Sequence, residues 1–388
     1  MSANQLLKRL VDVYKGETIR HPKLRAITLA QWMLESGRAK SRLAREFYNF
    51  GGIKWRPEMA AFATKAKYEA SDGVDYYCKF ATLESFINGY WAFLNRAPYS
   101  GWESHTATAE EFINFIGPIY TPTAKYAAKV LSLLPEAEAL LAEQPAGSIA
   151  EGVADAAAAP GKNLGVIVID PGHGGTQNVS GSDANHAISV SGVKEKKLTL
   201  DFSLILRDEL VRQAEKNGEA VGVVLTRTTD VNLTGAARAK NALTHRAKLF
   251  LCIHFNGLDT QATRGTETYF RAKENGNINL AEDIEFATAV QKALFGALKA
   301  LDPGAKDRGI KPDNQGNPSL PGFGVLNDKN LGNNQRPDPC RAAYIEAEFI
   351  TNKAVDKLLI SGPDAIANRT KAMAAVAKAC LDQMRAIP

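Results

Sequence analysis

The rhythm of apolar positions changes once along the chain, and that change divides it. In the first third, bulky apolar residues recur at helical spacing. Leu6, Leu7, Leu10, Val11 and Tyr14 mark one amphipathic helix, and Ile27, Leu29, Ala30, Met33 and Leu34 a second. Two β-prone stretches between Lys67 and Phe80 flank Asp72-Gly73, which predicts a hairpin. Helical spacing returns at Leu83–Leu94, Ala109–Ile116 and Ala124–Leu134. From Glu143 to Asn163 the residues are mostly Ala, Gly, Pro, Ser and Glu, with almost no bulky apolar side chain after Val153. Such a stretch cannot bury a core and reads as a linker over 143–163. Beyond it, apolar strands (Val166–Ile169, Val221–Thr226, Leu249–His254, Thr266–Arg271, Ala342–Ala347) alternate with helical patterns (Lys197–Glu215, Gly235–Arg246, Leu280–Leu301, Asn368–Met384). Alternation of this kind predicts an α/β domain around a central mixed or parallel sheet. The expected organisation is two unrelated domains, a mainly α unit with a small β-hairpin over 1–142 and an α/β unit over 164–388.

Composition narrows the class. A chain of 388 residues with 45% hydrophobic and 23% charged residues is neither disordered, fibrous nor a disulfide scaffold. The net charge is +5, and residues 1–50 alone carry +6. A basic leading segment suits an anionic partner such as nucleic acid, a membrane surface or a cell-wall polymer, or is simply a solvated helix face. The four cysteines, Cys78, Cys252, Cys340 and Cys380, are dispersed without a CxxC pair and read as reduced thiols. The N-terminus lacks an apolar core of signal-peptide length, and no apolar run approaches the ~18 residues of a membrane span. The expectation is a protein made in the cytoplasm and not exported by an ordinary cleaved signal.

Candidate chemistry in the second domain comes from four segments. Asp170-Pro171-Gly172-His173-Gly174-Gly175 directly follows a strand, where open α/β sheets bind ligands. His254 closes the apolar strand Leu251-Cys252-Ile253. Glu195 opens a helix, where an acid also complements the helix dipole. Glu346 and Glu348 interrupt an otherwise apolar strand, a costly placement unless the carboxylates are paired, metal-bound or catalytic. Two imidazoles and one carboxylate with an open fourth position form a catalytic zinc pattern, and a further carboxylate can serve as general base. In a regular strand Glu346 and Glu348 would share one face.

These residues lie in motifs that resemble the family 3 N-acetylmuramoyl-L-alanine amidases of bacterial cell-wall lysis. The motifs run in order as VIVIDPGHGG (Val166–Gly175), GVKEKKLTLDFS (Gly192–Ser203), VVLTRTTD (Val223–Asp230), the Arg238…Asn241 helix, AKLFLCIHFNG (Ala247–Gly257), GTETYF (Gly265–Phe270) and IEAEFITN (Ile345–Asn352). The resemblance covers about residues 164–386. It implies one Zn2+ held by His173, Glu195 and His254, with Glu346 as the base. Glu348 stands where the family usually has Gly. His186 and His245 match no motif position and read as surface residues.

In the first domain, Glu35 ends an apolar helix just before Gly37. A semi-buried carboxyl there has a raised pKa and suits a general acid, although an ordinary last-turn Glu looks the same locally. The text around it, with Tyr48-Asn49-Phe50-Gly51-Gly52-Ile53-Lys54, Phe80, Leu83-Glu84-Ser85-Phe86-Ile87, Tyr120 and Tyr126, resembles the lysozyme-like β-N-acetylglucosaminidases of glycoside hydrolase family 73 over about residues 5–135. That resemblance implies a lysozyme-like, mainly α fold, with Glu35 as proton donor, Glu69 before the hairpin turn as second carboxylate, and Tyr120 in the cleft wall. Here Thr121-Pro122-Thr123 replaces the family's usual Ala-Thr-Asp. Trp55, Trp91 and Trp102 read either as core or as sugar-stacking platforms.

The two resemblances imply a bifunctional peptidoglycan hydrolase with peptidoglycan as partner, no nucleic acid and no integral membrane segment. One head would cut the β-1,4 glycan bond after N-acetylglucosamine, and the other the N-acetylmuramoyl-L-alanine amide. The alternatives are a zinc amidase with a non-catalytic glycan-binding module, and an inactive wall-anchoring scaffold. Phage lysis or injection machinery would carry such a chain to the wall.

Overall fold

The computed structural model describes residues 2–17, 19–70, 73–142, 153–154 and 162–387. The chain forms two compact units, Met1–Ser148 and Ile149–Pro388. The predicted linker lies outside the described residues except at 153–154 and 162–163.

In the first unit the helices are α1 (Ala3–Gly16), α2 (Arg25–Ser36), α3 (Arg42–Phe47), α4 (Leu83–Leu94), α5 (Ala109–Tyr120), α6 (Tyr126–Ser132) and α7 (Leu134–Ala142). The hairpin is β1 (Ala63–Ala70) with β2 (Gly73–Phe80), in antiparallel register from Ala63↔Phe80 to Ala70↔Gly73. Local chemistry sets the helix ends. Ser2 and Gln5 make a capping box on α1, and Gly37, at φ 58°, stops α2 in the left-handed region. The single helix expected over Ala124–Leu134 is two helices, because Pro135 has no N–H with which to continue the ladder of α6. Trp32 is the centre of the core. Its ring is fully buried against Tyr14 at 4.6 Å, Phe86 at 4.8 Å and Tyr90 at 5.1 Å. Trp91 and Trp102 pack together at 5.6 Å beside His21 and Phe112 as part of that core, and Trp55 is half-buried against it.

The second unit is an α/β layer structure. Its strands are β3 (Val153–Ala154), β4 (Lys162–Pro171), β5 (Glu219–Leu225), β6 (Leu249–Asn256), β7 (Thr266–Phe270), β8 (Asp307–Pro312) and β9 (Arg341–Phe349). They lie in the order β3-β5-β4-β6-β9-β7-β8. Pairing is parallel except at β3/β5 and β7/β9. The helices are α8 (Glu195–Lys216), α9 (Gly235–Thr244), α10 (Leu280–Leu301), α11 (Asp328–Leu331), α12 (Lys353–Asp356) and α13 (Ala365–Ala386). Val168, Phe250, Cys252 and Ala342 pack with Ala239 and Ala242 of α9 and with Leu326 and Leu331. Coverage on both faces explains the near-continuous apolar text of β4 and β6. Strand β4 starts two residues before the expected domain boundary at 164. Strand β8 is not legible in its sequence, because Asp-Arg-Gly-Ile-Lys-Pro forms a half-exposed edge without alternation. All four cysteines are buried free thiols.

Trp32→Ala should lower the stability of the first unit by about 3–5 kcal/mol, the usual cost of deleting a large buried aromatic. Urea unfolding followed by far-UV circular dichroism measures it.

Candidate active sites

The second site is built on the loop that leaves β4. Asp170 is fully buried and bonds Arg238 Nη1 at 2.9 Å, the thiol of Cys252 at 3.0 Å and the hydroxyl of Thr226. Burial alone would push its carboxyl up; the Arg238 charge and these donors hold it below the usual carboxylate range. Arg238, itself buried, also donates to the carbonyls of Pro171 at 2.7 Å and His173 at 2.7 Å. Arg227 donates to the carbonyls of Pro171, Gly172 and Lys196 at 3.0, 2.9 and 2.7 Å. Two guanidinium groups thus satisfy the backbone of a turn in which His173 is left-handed at φ 60°. Gly172 is obligatory for a different reason: a Cβ there would lie 2.1 Å from His254 Nε2.

The turn aims His173 at Glu195, the first residue of α8. His173 Nδ1 contacts the Asp183 carbonyl at 2.8 Å, which fixes that nitrogen as an N–H and leaves Nε2 facing Glu195 Oε1, 3.1 Å away. His254 Nδ1 is 3.2 Å from the same oxygen, which also accepts the Phe255 N–H at 3.0 Å. Glu195 Oε2 accepts the Ala187 N–H at 3.0 Å. Burial pushes Glu195 up, but the two imidazoles outweigh it and hold the carboxyl far below its ordinary value. Burial works against a charge on His173 too, yet Glu195 raises it on balance, whereas burial keeps His254 low.

One donor atom from each of His173, Glu195 and His254 lies within 4.8 Å of the others. Ligands about 2.0–2.2 Å from a common tetrahedral ion sit roughly 3.3–3.5 Å apart, close to the two contacts observed. Two imidazole nitrogens and one carboxylate oxygen also suit such an ion chemically, so these residues fit a divalent metal.

Glu346 on β9 pairs directly with His254 on β6. Its Oε1 accepts the Tyr344 hydroxyl at 3.2 Å, while Oε2 is buried with no hydrogen-bond partner among the described residues. Burial, and then the negative charge of Glu195, push the Glu346 carboxyl well up. The Tyr344 ring stacks on His254 at 4.6 Å and 15°.

The expectation that Glu346 and Glu348 share a face is corrected here. The β6/β9 register slips between His254↔Glu346 and Asn256↔Phe349, a bulge that breaks the alternation. Glu348 is buried instead against Arg264 at 3.2 Å and the Gly265 N–H at 2.6 Å. His245 is corrected as well. It is half-buried at the end of α9 with Nε2 shielded, because it caps the helix, while His186 is exposed as expected.

In the first unit Glu35 sits in the last turn of α2. Its Oε1 accepts the Tyr126 hydroxyl at 2.7 Å. Tyr126 in turn accepts from Gln31 Nε2 at 3.0 Å, and Gln31 Oε1 accepts from the buried Tyr90 at 2.5 Å. A Cβ on Gly52 would come 3.7 Å from Glu35 Oε2. Burial raises the Glu35 carboxyl, and the Tyr126 bond offsets part of that rise. Tyr120 lies beside this pair, stacked on Tyr126 at 6.3 Å and donating to the Gly51 carbonyl at 2.6 Å. Glu69, near the end of β1 and paired in register with Val74, is exposed, and among the described residues no hydrogen bond joins it to Glu35. The direct partners Tyr126 and Tyr344 carry no site role in the sequence reading. Tyr344 was detectable, since it precedes Glu346 by one strand period; Tyr126 comes from a helix 91 residues away from Glu35.

Fold and site together make the second unit an α/β domain with a candidate metal centre at the ends of its central strands. Residues 167–379 match the family model of N-acetylmuramoyl-L-alanine amidases, and the chain belongs to that family. Residues 12–139 match the model described as mannosyl-glycoprotein endo-β-N-acetylglucosaminidase. Among curated relatives, the N-acetylmuramoyl-L-alanine amidase LytC of Bacillus subtilis is 31% identical over 145 residues, 37% of this chain and 25% of its own. The endolysin of Bacillus phage SPP1 is 31% identical over 146 residues, 38% of this chain and 46% of its own. The chain therefore spans from a quarter to just under half of these relatives. A solved N-acetylmuramoyl-L-alanine amidase of Clostridium difficile 630 aligns with 57% of this chain and 98% of its own, at 23% identity and a TM-score of 0.42.

Arg238→Gln should cost about 3–5 kcal/mol, because it strands the Asp170 charge in the interior. A fall in the urea midpoint checks it, and Arg238→Lys should recover only part of the loss, since an ammonium cannot span the same carbonyls.

Proposed function

We propose that this chain is a bifunctional peptidoglycan hydrolase with a zinc-dependent N-acetylmuramoyl-L-alanine amidase head and a β-N-acetylglucosaminidase head. The observation that carries the amidase reading is the triangle of His173 Nε2, Glu195 Oε1 and His254 Nδ1 beside the unpartnered Glu346 Oε2. When bound there, Zn2+ lowers the pKa of water to about 7 and polarises the scissile carbonyl. His173, Glu195 and His254 are the ligands, with the Asp183 carbonyl and the Phe255 and Ala187 amides orienting them. Glu346 Oε2 takes the proton of the attacking water and returns it to the leaving nitrogen of L-alanine. The Tyr344 hydroxyl holds the other oxygen in place. A carboxylate whose proton affinity is raised by burial suits both transfers.

In the other head, Glu35 is the acid that protonates the glycosidic oxygen. Its raised pKa supports that role. Tyr120 lines the wall of the cleft, and Glu69 is assigned as the second carboxylate. The likeness to a phage endolysin supports action on the wall after release by a lysis or injection apparatus. Among the described residues no helix is long and apolar enough to cross a membrane.

Elemental analysis should find one zinc per chain, lost in Glu195→Gln and kept in Glu346→Gln. Glu346→Gln should nevertheless lose amide cleavage by about 10²–10⁴-fold. Glu35→Gln should lose release of reducing ends from purified peptidoglycan by a similar ~10²–10⁴-fold factor and leave amide cleavage intact. Unchanged reducing-end release would make the first unit a glycan-binding module.

The pH profile gives an independent check. The acid works only while protonated, so glycan cleavage falls as pH rises through the Glu35 pKa. Tyr126→Phe removes the bond that lowers this pKa and should move the alkaline limb to higher pH.

A further inference from the structure

Beside the proposed amidase site the sheet carries three charged groups that the mechanism above does not use, Glu267, Arg308 and Lys311. Glu346 is paired across the strands with His254 on one side and with Glu267 of β7 on the other. Directly opposed residues of adjacent strands project from the same face, so His254, Glu346 and Glu267 form one line across β6, β9 and β7. Glu267 is buried, and its oxygens are fully occupied. Oε1 accepts Asn256 Nδ2 at 2.9 Å and the Tyr269 hydroxyl at 2.9 Å; Oε2 accepts Arg308 Nε at 2.7 Å and Lys311 Nζ. Arg308 and Lys311 come from the edge strand β8.

Two cations therefore meet one carboxylate, which leaves a net positive charge at the end of the row. Both remain open to solvent, with side chains 37% and 33% exposed. Arg308 uses only Nε on Glu267, so its two terminal nitrogens have no hydrogen-bond partner among the described residues. Its guanidinium is supported on the Phe349 ring at 5.1 Å, and Lys311 lies over Tyr269 at 5.9 Å. A fork held by one edge, with its free end toward solvent, is arranged to receive a second carboxylate.

Resting on the amidase reading, we propose that Arg308 and Lys311 form a subsite that binds the free carboxylate of the acidic residue following L-alanine in the stem peptide. The spacing agrees. The cations stand between one and two strand spacings from Glu346, roughly 5–10 Å. An extended peptide covers about 7 Å between the scissile carbonyl and a carboxylate on the second residue. Glu267 acts as a positioning residue that fixes the two cations, and the bound peptide lies across the strands along the row.

The test uses the zinc-loaded full chain and two preparations of purified peptidoglycan. They are identical except that the α-carboxylate of the second stem residue is free in one and amidated in the other. Newly exposed alanine amines report cleavage at sub-saturating substrate. The wild-type chain should cut the free-acid polymer about 10- to 100-fold faster, with the difference in KM rather than kcat. Arg308→Gln and Lys311→Gln should cut both polymers at the slower rate, and Arg308→Lys should keep the preference. Equal cutting of both polymers by the wild-type chain overturns the subsite and leaves the amidase reading standing. So does a preference that survives both Gln variants, which would mean that the cations only hold Glu267. Cleavage of neither polymer overturns the amidase reading and the subsite with it.

Discussion

The grip of Arg238 and Arg227 on the turn after β4 is the constraint on which the geometry of the candidate metal site depends. A left-handed histidine between glycines is an unfavourable way to leave a strand, and the turn's carbonyls point into protein where no water can serve them. Two buried guanidinium groups supply the donors, and Asp170 supplies the countercharge that lets Arg238 stay inside. Burial and the neighbouring Arg238 pull Arg227 down to about 10, so Arg227 remains charged at neutral pH. The imidazole of His173 is therefore held in place by backbone that cannot relax without exposing ion pairs. The same turn leaves room for His254, which packs where a side chain on Gly172 would otherwise sit.

From that turn the charges are graded across the sheet. Glu195 is kept ionised by two imidazoles, Glu346 is pushed toward its protonated form, and the paired cations hold Glu267 ionised at a pKa of about 2 against the opposing effect of burial. Three carboxylates on neighbouring elements thus have three different proton affinities. Each difference traces to burial and to the partners that neighbouring segments supply.

Much of this was legible in the chain. The helix over Leu280–Leu301 and the strands of the sheet centre follow directly from apolar spacing, and the His173, Glu195 and His254 donors stand at a strand end, a helix start and a strand end, in the motifs that carry the amidase resemblance. What was not legible depends on events with no sequence period. The β9 bulge adds one residue and sends Glu348 to Arg264, against a strict alternation. The edge strand β8 is half solvated and shows no alternation at all. Tyr126 meets Glu35 only because α6 folds back onto α2, and no local pattern around either residue records that meeting.

The chain Tyr90–Gln31–Tyr126–Glu35 has a consequence for the handedness of the proposed glycan site. Tyr90 donates to Gln31, Gln31 donates to Tyr126, and Tyr126 donates to Glu35, so every hydrogen in the series points the same way. Oε1 of Glu35 is thereby committed as an acceptor, so whenever the carboxyl is protonated its hydrogen resides on Oε2, the oxygen beside Gly52. The two oxygens of one side chain are chemically distinct before any sugar arrives. In the proposed glycosidase head, a glycan strand would meet that proton from one side only, so the approach direction of the leaving oxygen would be set by an amide buried a full helical turn behind the acid.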